Sequence, residues 1–330
     1  MSAAAQGRPK VRLGIDVFSI RSQNWTPFEY IDYCARHKAD ACFFSELRFL
    51  GGLEPAHLKR IRDHAAKAGV ALELGMTSIC PTSTMFKPEL GKAGEQILRS
   101  VETAQILGVK FIRCFLGRGE DRKQGGGIER HIENTVSVLR GVRTRVMDAG
   151  LKLAVENHAG DMQARELKSL IEAAGPEFVG CTLDSGNATW TLEDPHVTLE
   201  TLAPYAVASG VRDSLVWRTA DGIAVRWVRM GAGNVDMEGW VRKFARLCPD
   251  VTLALEIISL PAPRIYKIGD PEFWRGYEAV RAHEFMRFLK LAEAGKESIA
   301  APPPKERALE AEREELEASF RWTREVLEKL

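Results

Sequence analysis

Three carboxylates in this 330-residue chain lie at the ends of short apolar runs: Glu156 ends residues 152–156, Asp184 ends 179–184, and Glu256 falls near the end of 251–257. If the runs are neighbouring buried strands, the acids point into one mouth. Unpaired, they would repel strongly in a low-dielectric site. A divalent cation is one way to hold them together. The other is pairing with arginine, for which Arg113, Arg118 and Arg212 are available. His158 lies two residues past Glu156, so both lean to the same side of an extended strand. Its near-neutral pKa makes it the extra acid/base candidate, against the structural role of orienting a carboxylate. Asn187 and Trp190 follow Asp184 and offer an amide for ligand hydroxyls and an indole for a ligand face or for the core. Arg118, within Gly117-Arg118-Gly119, and Arg212 are candidate substrate contacts.

Eight apolar runs would have to position these groups: residues 12–17, 41–45, 71–75, 110–115, 152–156, 179–184, 206–211 and 251–257. Their continuous rather than alternating character suits strands buried on both faces of a parallel sheet. Helix-like stretches lie between them, at 27–38, 55–68, 94–107, 128–149, 162–174, 198–202, 235–247 and 271–294. Thr26-Pro27 reads as an N-cap with proline at the first helical position. Gly69, Gly108, Gly150 and Gly175 follow helical runs, where a left-handed cap is needed. Eight alternations predict an α/β fold, a (β/α)8 TIM barrel with its chemistry on the loops after the strands. A doubly wound sheet is the rival, but no glycine-rich turn follows the first run. The expected division is a disordered lead-in at 1–10, a barrel at 11–299, a proline-rich linker at 300–304 and a C-terminal helix at 305–330. The helix carries Leu309, Leu316, Phe320, Leu327 and Leu330 on one stripe, which predicts docking on its own barrel or a neighbour's. A homo-oligomer is expected from it, with a heteromeric partner as the alternative.

Hydrophobic residues make up 45% of the chain and charged ones 28%, so a packed core is expected. Lys and Arg number 46 against 45 Asp and Glu, a net charge of +1, which argues against nucleic acid or an anionic membrane surface as partner. Mean hydropathy is −0.19, and no apolar run approaches the roughly 18 residues of a membrane span. The six cysteines form no CxxC pair, which points to reduced thiols and a cytoplasmic address.

The segments Val155-Glu156-Asn157-His158-Ala159-Gly160, Leu183-Asp184-Ser185-Gly186-Asn187 and Leu255-Glu256 resemble the sugar phosphate isomerase/epimerase superfamily, the xylose-isomerase-like TIM barrels. Gly231-Ala232-Gly233-Asn234-Val235-Asp236 resembles that family's loop before its seventh helix. The likeness covers roughly residues 11–290. It implies a divalent metal, Mn2+ foremost, with Mg2+ or Co2+ as alternatives, held by Glu156, Asp184 and Glu256. The family's members include ketose epimerases, hydroxypyruvate isomerase, inosose dehydratase, apurinic-site endonucleases and subunits that cleave C-glycosides. The endonuclease branch implies more metal histidines and a basic groove, which seven histidines and a near-neutral charge do not supply. The chain departs from the family at the end of strand seven, where a histidine followed by x-Lys/Arg-Asp is usual. Here the segment is Gly210-Val211-Arg212-Asp213, and glycine offers no ligand.

Chemistry consistent with these groups is proton abstraction next to a carbonyl. Glu156 and Glu256 would face each other across a keto-sugar, with His158 as a further acid/base and the metal stabilising the enediolate. That gives an isomerase or epimerase. A leaving group β to the carbonyl gives a lyase instead, as in cleavage of a 3-oxo-glycoside. A non-catalytic barrel with a degraded metal site is the alternative that Gly210 raises.

Overall fold

The computed structural model describes residues 11–124, 126–258, 262–297 and 303–330. The expected lead-in and most of the expected linker lie outside the described residues. Eight parallel strands form the barrel: β1 (Leu13–Asp16), β2 (Ala41–Phe44), β3 (Ala71–Ser78), β4 (Phe111–Phe115), β5 (Lys152–Glu156), β6 (Val179–Asp184), β7 (Ala206–Gly210) and, after the hairpin β8 (Asp213–Thr219) and β9 (Gly222–Val228), β10 (Leu253–Leu255). Their order is β10-β1-β2-β3-β4-β5-β6-β7. A parallel bridge between Val211 and Leu255 brings the open edges together, with Val211 N donating to Ala254 O at 2.8 Å. The (β/α)8 reading therefore holds.

Helices α1 (Pro27–Arg36), α2 (Pro55–Ala68), α3 (Ala93–Leu107), α4 (Gly127–Asp148), α5 (Ala164–Ala174), the short α6 (Ser185–Thr189) with α7 (Pro195–Leu202), and α8 (Met237–Leu247) surround the strands. Thr26 caps α1 in a full capping box with Glu29, and Pro27 occupies the first turn. The main core lies between strands and helices, with Ile15, Cys42, Ile112 and Leu153 on the outward faces of the strands. Phe43, Phe111, Ala154, Ala208 and Ala254 fill the barrel interior. Side chains alternate across a strand, so Glu156 and Glu256, two residues beyond Ala154 and Ala254, also face inward, one layer higher.

The chain departs from the simple β–α alternation after β7. Residues 213–228, to which the sequence reading assigns no element, form the hairpin β8–β9, and β11 (Arg264–Tyr266) pairs antiparallel with β9. Residues 271–294 do not form one helix: a 3-10 segment, Pro271–Gly276, is separated from α9 (Ala282–Ala294). The reason is packing. This added sheet and α9 build a second core from Val216, Ile223, Val225, Tyr266 and Phe288 beside the barrel mouth. Asn234 ties the layers together by accepting from Val216 N and donating to Leu291 O. The Gly231–Gly233 loop cradles Asp213: the backbone N–H groups of Gly231 and Gly233 donate to its Oδ2 at 3.1 and 2.9 Å.

The C-terminal helix α10 (Ala308–Glu328) docks on the chain's own barrel, beside the segment after β1 and α8. Leu316 and Phe320 are buried while Leu309 is 48% exposed. Glu317 accepts from Tyr33 Oη, and Arg324 donates to the carbonyls of His37 and Lys38. Two of the five stripe residues are thus covered by the chain's own barrel, the first of the two docking partners expected for this helix.

Candidate functional site

Glu156, Asp184 and Glu256 converge, each buried, with their nearest carboxylate oxygens all within 4.8 Å of one another. Cross-strand clamps fix the strand ends that carry them. Asn157 exchanges two hydrogen bonds with the Asp184 backbone, Nδ2 to O at 2.8 Å and Asp184 N to Oδ1 at 2.9 Å. Ser185 Oγ donates to Arg212 O and accepts from Arg212 N. Ser19 links the end of β10 to the segment after β1 in the same way, through Leu255 O and Ile257 N. Asn187 serves the acids from both of its amides: its backbone N–H donates to Asp184 Oδ1 at 2.6 Å and its Nδ2 to Glu156 Oε1 at 3.0 Å.

Two buried guanidiniums complete the cluster. Arg113 Nε donates to Glu156 Oε2. Arg212 Nη2 donates to Asp184 Oδ2 and, at 2.5 Å, to Glu256 Oε2. The arginine pairing set against a metal in the sequence is thus present for two of its three candidates. Asp16 stands nearby, hydrogen-bonded to Ser45 Oγ at 2.6 Å. Burial pushes Asp16 well above the carboxylate range, and Glu256 adds to it. Burial likewise raises Asp184, reinforced by Glu156 and Glu256 and opposed by Arg212. A bound cation would oppose that rise by favouring the ionised carboxylates. Hard oxygen donors from three carboxylates and a cationic nitrogen already seated between two of the oxygens fit a divalent cation.

The adjoining cavity holds about 210 Å³ and is lined by Arg113, His158, Asn187, Arg212, Trp227 and Glu256 among others. It is small beside the several hundred Å³ of drug-sized sites. Glu156 and Asp184 do not line it, since the two arginines lie over them. The expected pair facing each other across a substrate is therefore reduced to Glu256. A larger cavity of about 690 Å³ opens at the opposite, N-terminal end of the strands, beside Glu73 and Phe111, away from the acids.

His158 stacks on Phe115 with ring centroids 3.8 Å apart, and its Nδ1 donates to Gly117 O at 2.6 Å. That leaves Nε2 as an acceptor. Burial and Arg113 push its pKa down to about 3, so at neutral pH the ring is neutral and cannot act as an acid. No carboxylate bonds its side chain among the described residues. Its position comes from Asp161, which accepts from His158 N and Gly117 N.

Trp190 does not offer a free face to a sugar. Trp227 stacks on one side at 3.5 Å, and the Arg264 guanidinium lies 3.3 Å from its ring centroid. Arg118 is not brought to the acids either. The chain turns outward at Gly117, and Arg118 bonds Thr84 and pairs with Glu120 at 3.2 Å, with its side chain 45% exposed. Trp227 was not anticipated. It donates to Gly186 O at 2.9 Å and lies under the Arg212 guanidinium at 4.3 Å. The signal that could have found it is Asp221-Gly222, a hairpin turn dipeptide between two β-rich runs.

Comparison with known proteins agrees with this architecture. The chain is 25% identical over 188 residues to 3-oxo-isoapionate decarboxylase of Pectobacterium atrosepticum, 56% of this chain and 61% of that protein. It is 28% identical over 94 residues to the uncharacterized protein YihM of Escherichia coli, 28% of each chain. The matches thus span about three fifths and about a quarter of these relatives. Among solved structures, D-psicose 3-epimerase from Clostridium cellulolyticum, with D-tagatose, superposes with a TM-score of 0.65 at 14% identity, over 96% of this chain and 99% of that one. The IolI protein with a bound zinc atom gives 0.57 at 15% identity, over 85% and 96%. At these identities the structures speak to the fold alone. The family model for the xylose isomerase-like TIM barrel matches residues 31–274, and the chain belongs to that family.

Proposed function

We propose that this protein is a divalent-metal-dependent isomerase or epimerase, or a lyase, acting on a small keto-sugar or sugar derivative in the cytoplasm. The observation that carries the reading is the convergence of the buried carboxylates of Glu156, Asp184 and Glu256 at the barrel mouth. These three residues would hold the cation, Mn2+ foremost. Once bound, it supplies Lewis-acid stabilisation of negative charge developing on a carbonyl oxygen. Glu256 lines the cavity and is placed to take a proton from the carbon beside that carbonyl. His158 Nε2 accepts a hydrogen bond from a substrate hydroxyl. The N–H groups of Arg113 and Arg212 that face the cavity bind substrate oxygens.

Return of the proton elsewhere gives isomerisation or epimerisation. Expulsion of a β leaving group, as from a 3-oxo-glycoside, gives a lyase. Loss of CO2 from a 3-oxo acid also leaves an electron pair beside a carbonyl, which the likeness to 3-oxo-isoapionate decarboxylase supports. All six cysteines are buried and unbridged, which supports the cytoplasmic assignment.

Titration of Mn2+ into the chelator-stripped protein tests the site. Glu156→Gln, Asp184→Asn and Glu256→Gln are each expected to weaken binding, and wild-type affinity in all three would remove it. Deuterium uptake from D2O into ketoses or 3-oxo-glycosides tests the proton abstraction. Gly210 and the seating of Arg212 favour a second reading, a barrel that keeps the fold without metal chemistry. A protein that stays inert toward both substrate classes after Mn2+ addition supports that reading.

A further inference from the structure

Two buried arginines near the mouth are held in opposite ways. Arg122 is locked through every nitrogen: Nε donates to Gly276 O at 2.7 Å, Nη1 to Asp161 O and Glu166 Oε2 at 2.6 and 2.7 Å, and Nη2 to Glu166 Oε1 at 2.9 Å. Arg212 is 1% exposed, yet only its Nη2 is bonded, while Nε and Nη1 are buried without a partner. Its remaining contacts restrain it weakly in the plane. The guanidinium lies on the face of Trp227, and its aliphatic arm passes Gly186, where a Cβ would come within 2.3 Å of Cγ.

The point that Nη2 occupies is also the point a metal needs. A Cβ on Gly210 would lie 3.1 Å from Asp184 Oδ2 and 3.2 Å from Glu256 Oε2, so the missing side chain leaves room beside the same two oxygens that Nη2 bridges. A small divalent cation sits about 2.0–2.1 Å from each carboxylate oxygen. Such an ion and Nη2, bonded to both oxygens, cannot share that space.

We infer that Arg212 is a displaceable resident cation. Its guanidinium neutralises Asp184 and Glu256 when no metal is bound and competes with the metal for their oxygens. When the metal enters, it swings along the Trp227 face into the 210 Å³ cavity. There its free N–H groups meet a substrate oxygen. The inference rests on the metal reading above. It adds that this chain's own residue sets the metal affinity and that loading the metal creates the substrate-binding donor.

The test is Mn2+ titration of the full-length, chelator-stripped protein by calorimetry, with free Mn2+ followed by electron paramagnetic resonance, in wild type, Arg212→Met and Arg212→Lys. Arg212→Met is expected to bind Mn2+ on the order of tenfold tighter, with Arg212→Lys in between. Metal-free Arg212→Met should melt lower than wild type and gain more from Mn2+, because its acids have lost their counter-ion. Should Arg212→Met fail to fold without metal, the order of wild type and Arg212→Lys decides. Wild-type binding with equal or weaker binding in the variants overturns the competition and leaves the metal site standing. Absence of binding in wild type and variants alike removes both.

Discussion

Gly186 and Gly141 both lie in helices, α6 and α4, and replacing each with alanine should move stability in opposite directions. Alanine in a helix relieves the conformational cost of glycine, worth about 0.5–1 kcal/mol. At Gly141 a new Cβ meets nothing within 4 Å, so Gly141→Ala should stabilise by close to that amount. At Gly186 the same atom would lie 2.3 Å from Arg212 Cγ, 2.5 Å from Cδ and 3.0 Å from Nε. Arg212 is buried between Gly186 and Trp227, so its arm can yield only within that slot or toward the cavity, away from Asp184 and Glu256. If the arm shifts within its slot, overpacking of about 1–3 kcal/mol outweighs the helix gain. If the guanidinium is expelled, Asp184 and Glu256 lose their partner, and breaking a buried pair costs about 3–5 kcal/mol. Urea denaturation of the metal-free variants, followed by circular dichroism, measures both cases. Gly186→Ala should fall below wild type by at least about 1 kcal/mol, and Mn2+ should recover part of the loss. A Gly186→Ala protein as stable as Gly141→Ala would mean that Arg212 does not pack against α6, and the account of its tether would fail.

Two further outcomes are expected. Gly210→His places an imidazole beside Asp184 and Glu256 and should tighten Mn2+ binding on the order of tenfold, about 1.4 kcal/mol; unchanged affinity would show that position 210 does not face the cation. Burial pushes Glu193 up to about 7, against 4.5 for the free side chain, despite its bonds from Thr198 Oγ and Ala164 N. The folded state therefore binds the proton more tightly than the unfolded state, and Glu193 makes stability fall as pH rises from about 4.5 to about 7. Glu193→Gln keeps an acceptor and should flatten the stability–pH curve over that window by up to about 3 kcal/mol, measured by denaturant titration at successive pH values. Parallel curves for the variant and wild type would refute the assignment.

The barrel was legible because its signals are local. Apolar runs mark the β–α units, four of whose helices are followed by Gly69, Gly108, Gly150 and Gly175, all at positive φ. The convergence of three acids was legible for a related reason: each sits at the mouth end of its barrel strand, and the alternation of side chains decides which way it points. What happens after β7 was hidden by the rhythm itself. A β–α repeat predicts a helix after a strand, and the hairpin signal at Asp221-Gly222 was passed over in its favour. Arg212 was named as a pairing partner, but its choice of Asp184 and Glu256 over a substrate depends on a guanidinium reaching back across the mouth. No spacing encodes that. The Trp190–Trp227 stack joins the end of α6 to the hairpin, so the residues around Trp190 in sequence do not choose between a ligand face and the core.

The site divides into parts that cannot move and one that can. Asn157, Ser185 and Ser19 fix the strand ends, Asn187 holds Asp184 and Glu156, and Asp161 fixes the loop that carries His158. Acids held this rigidly in a dry interior cannot separate to relieve their repulsion, so a positive charge or a bound proton must offset it at every stage. A fixed structural arginine such as Arg122 would meet that need and close the site permanently. An arginine bonded through one nitrogen meets it and leaves the oxygens available to a stronger cation. Gly210 and Gly186 then act on the same two oxygens: the first leaves their flank open, with Asp184 Oδ2 and Glu256 Oε2 the nearest atoms to its missing Cβ, and the second clears the path of the arm that carries Nη2. A histidine at 210 adds a donor beside those oxygens and a Cβ at 186 shifts the guanidinium that covers them, so the two substitutions should couple in a double-mutant cycle of Mn2+ affinity rather than add.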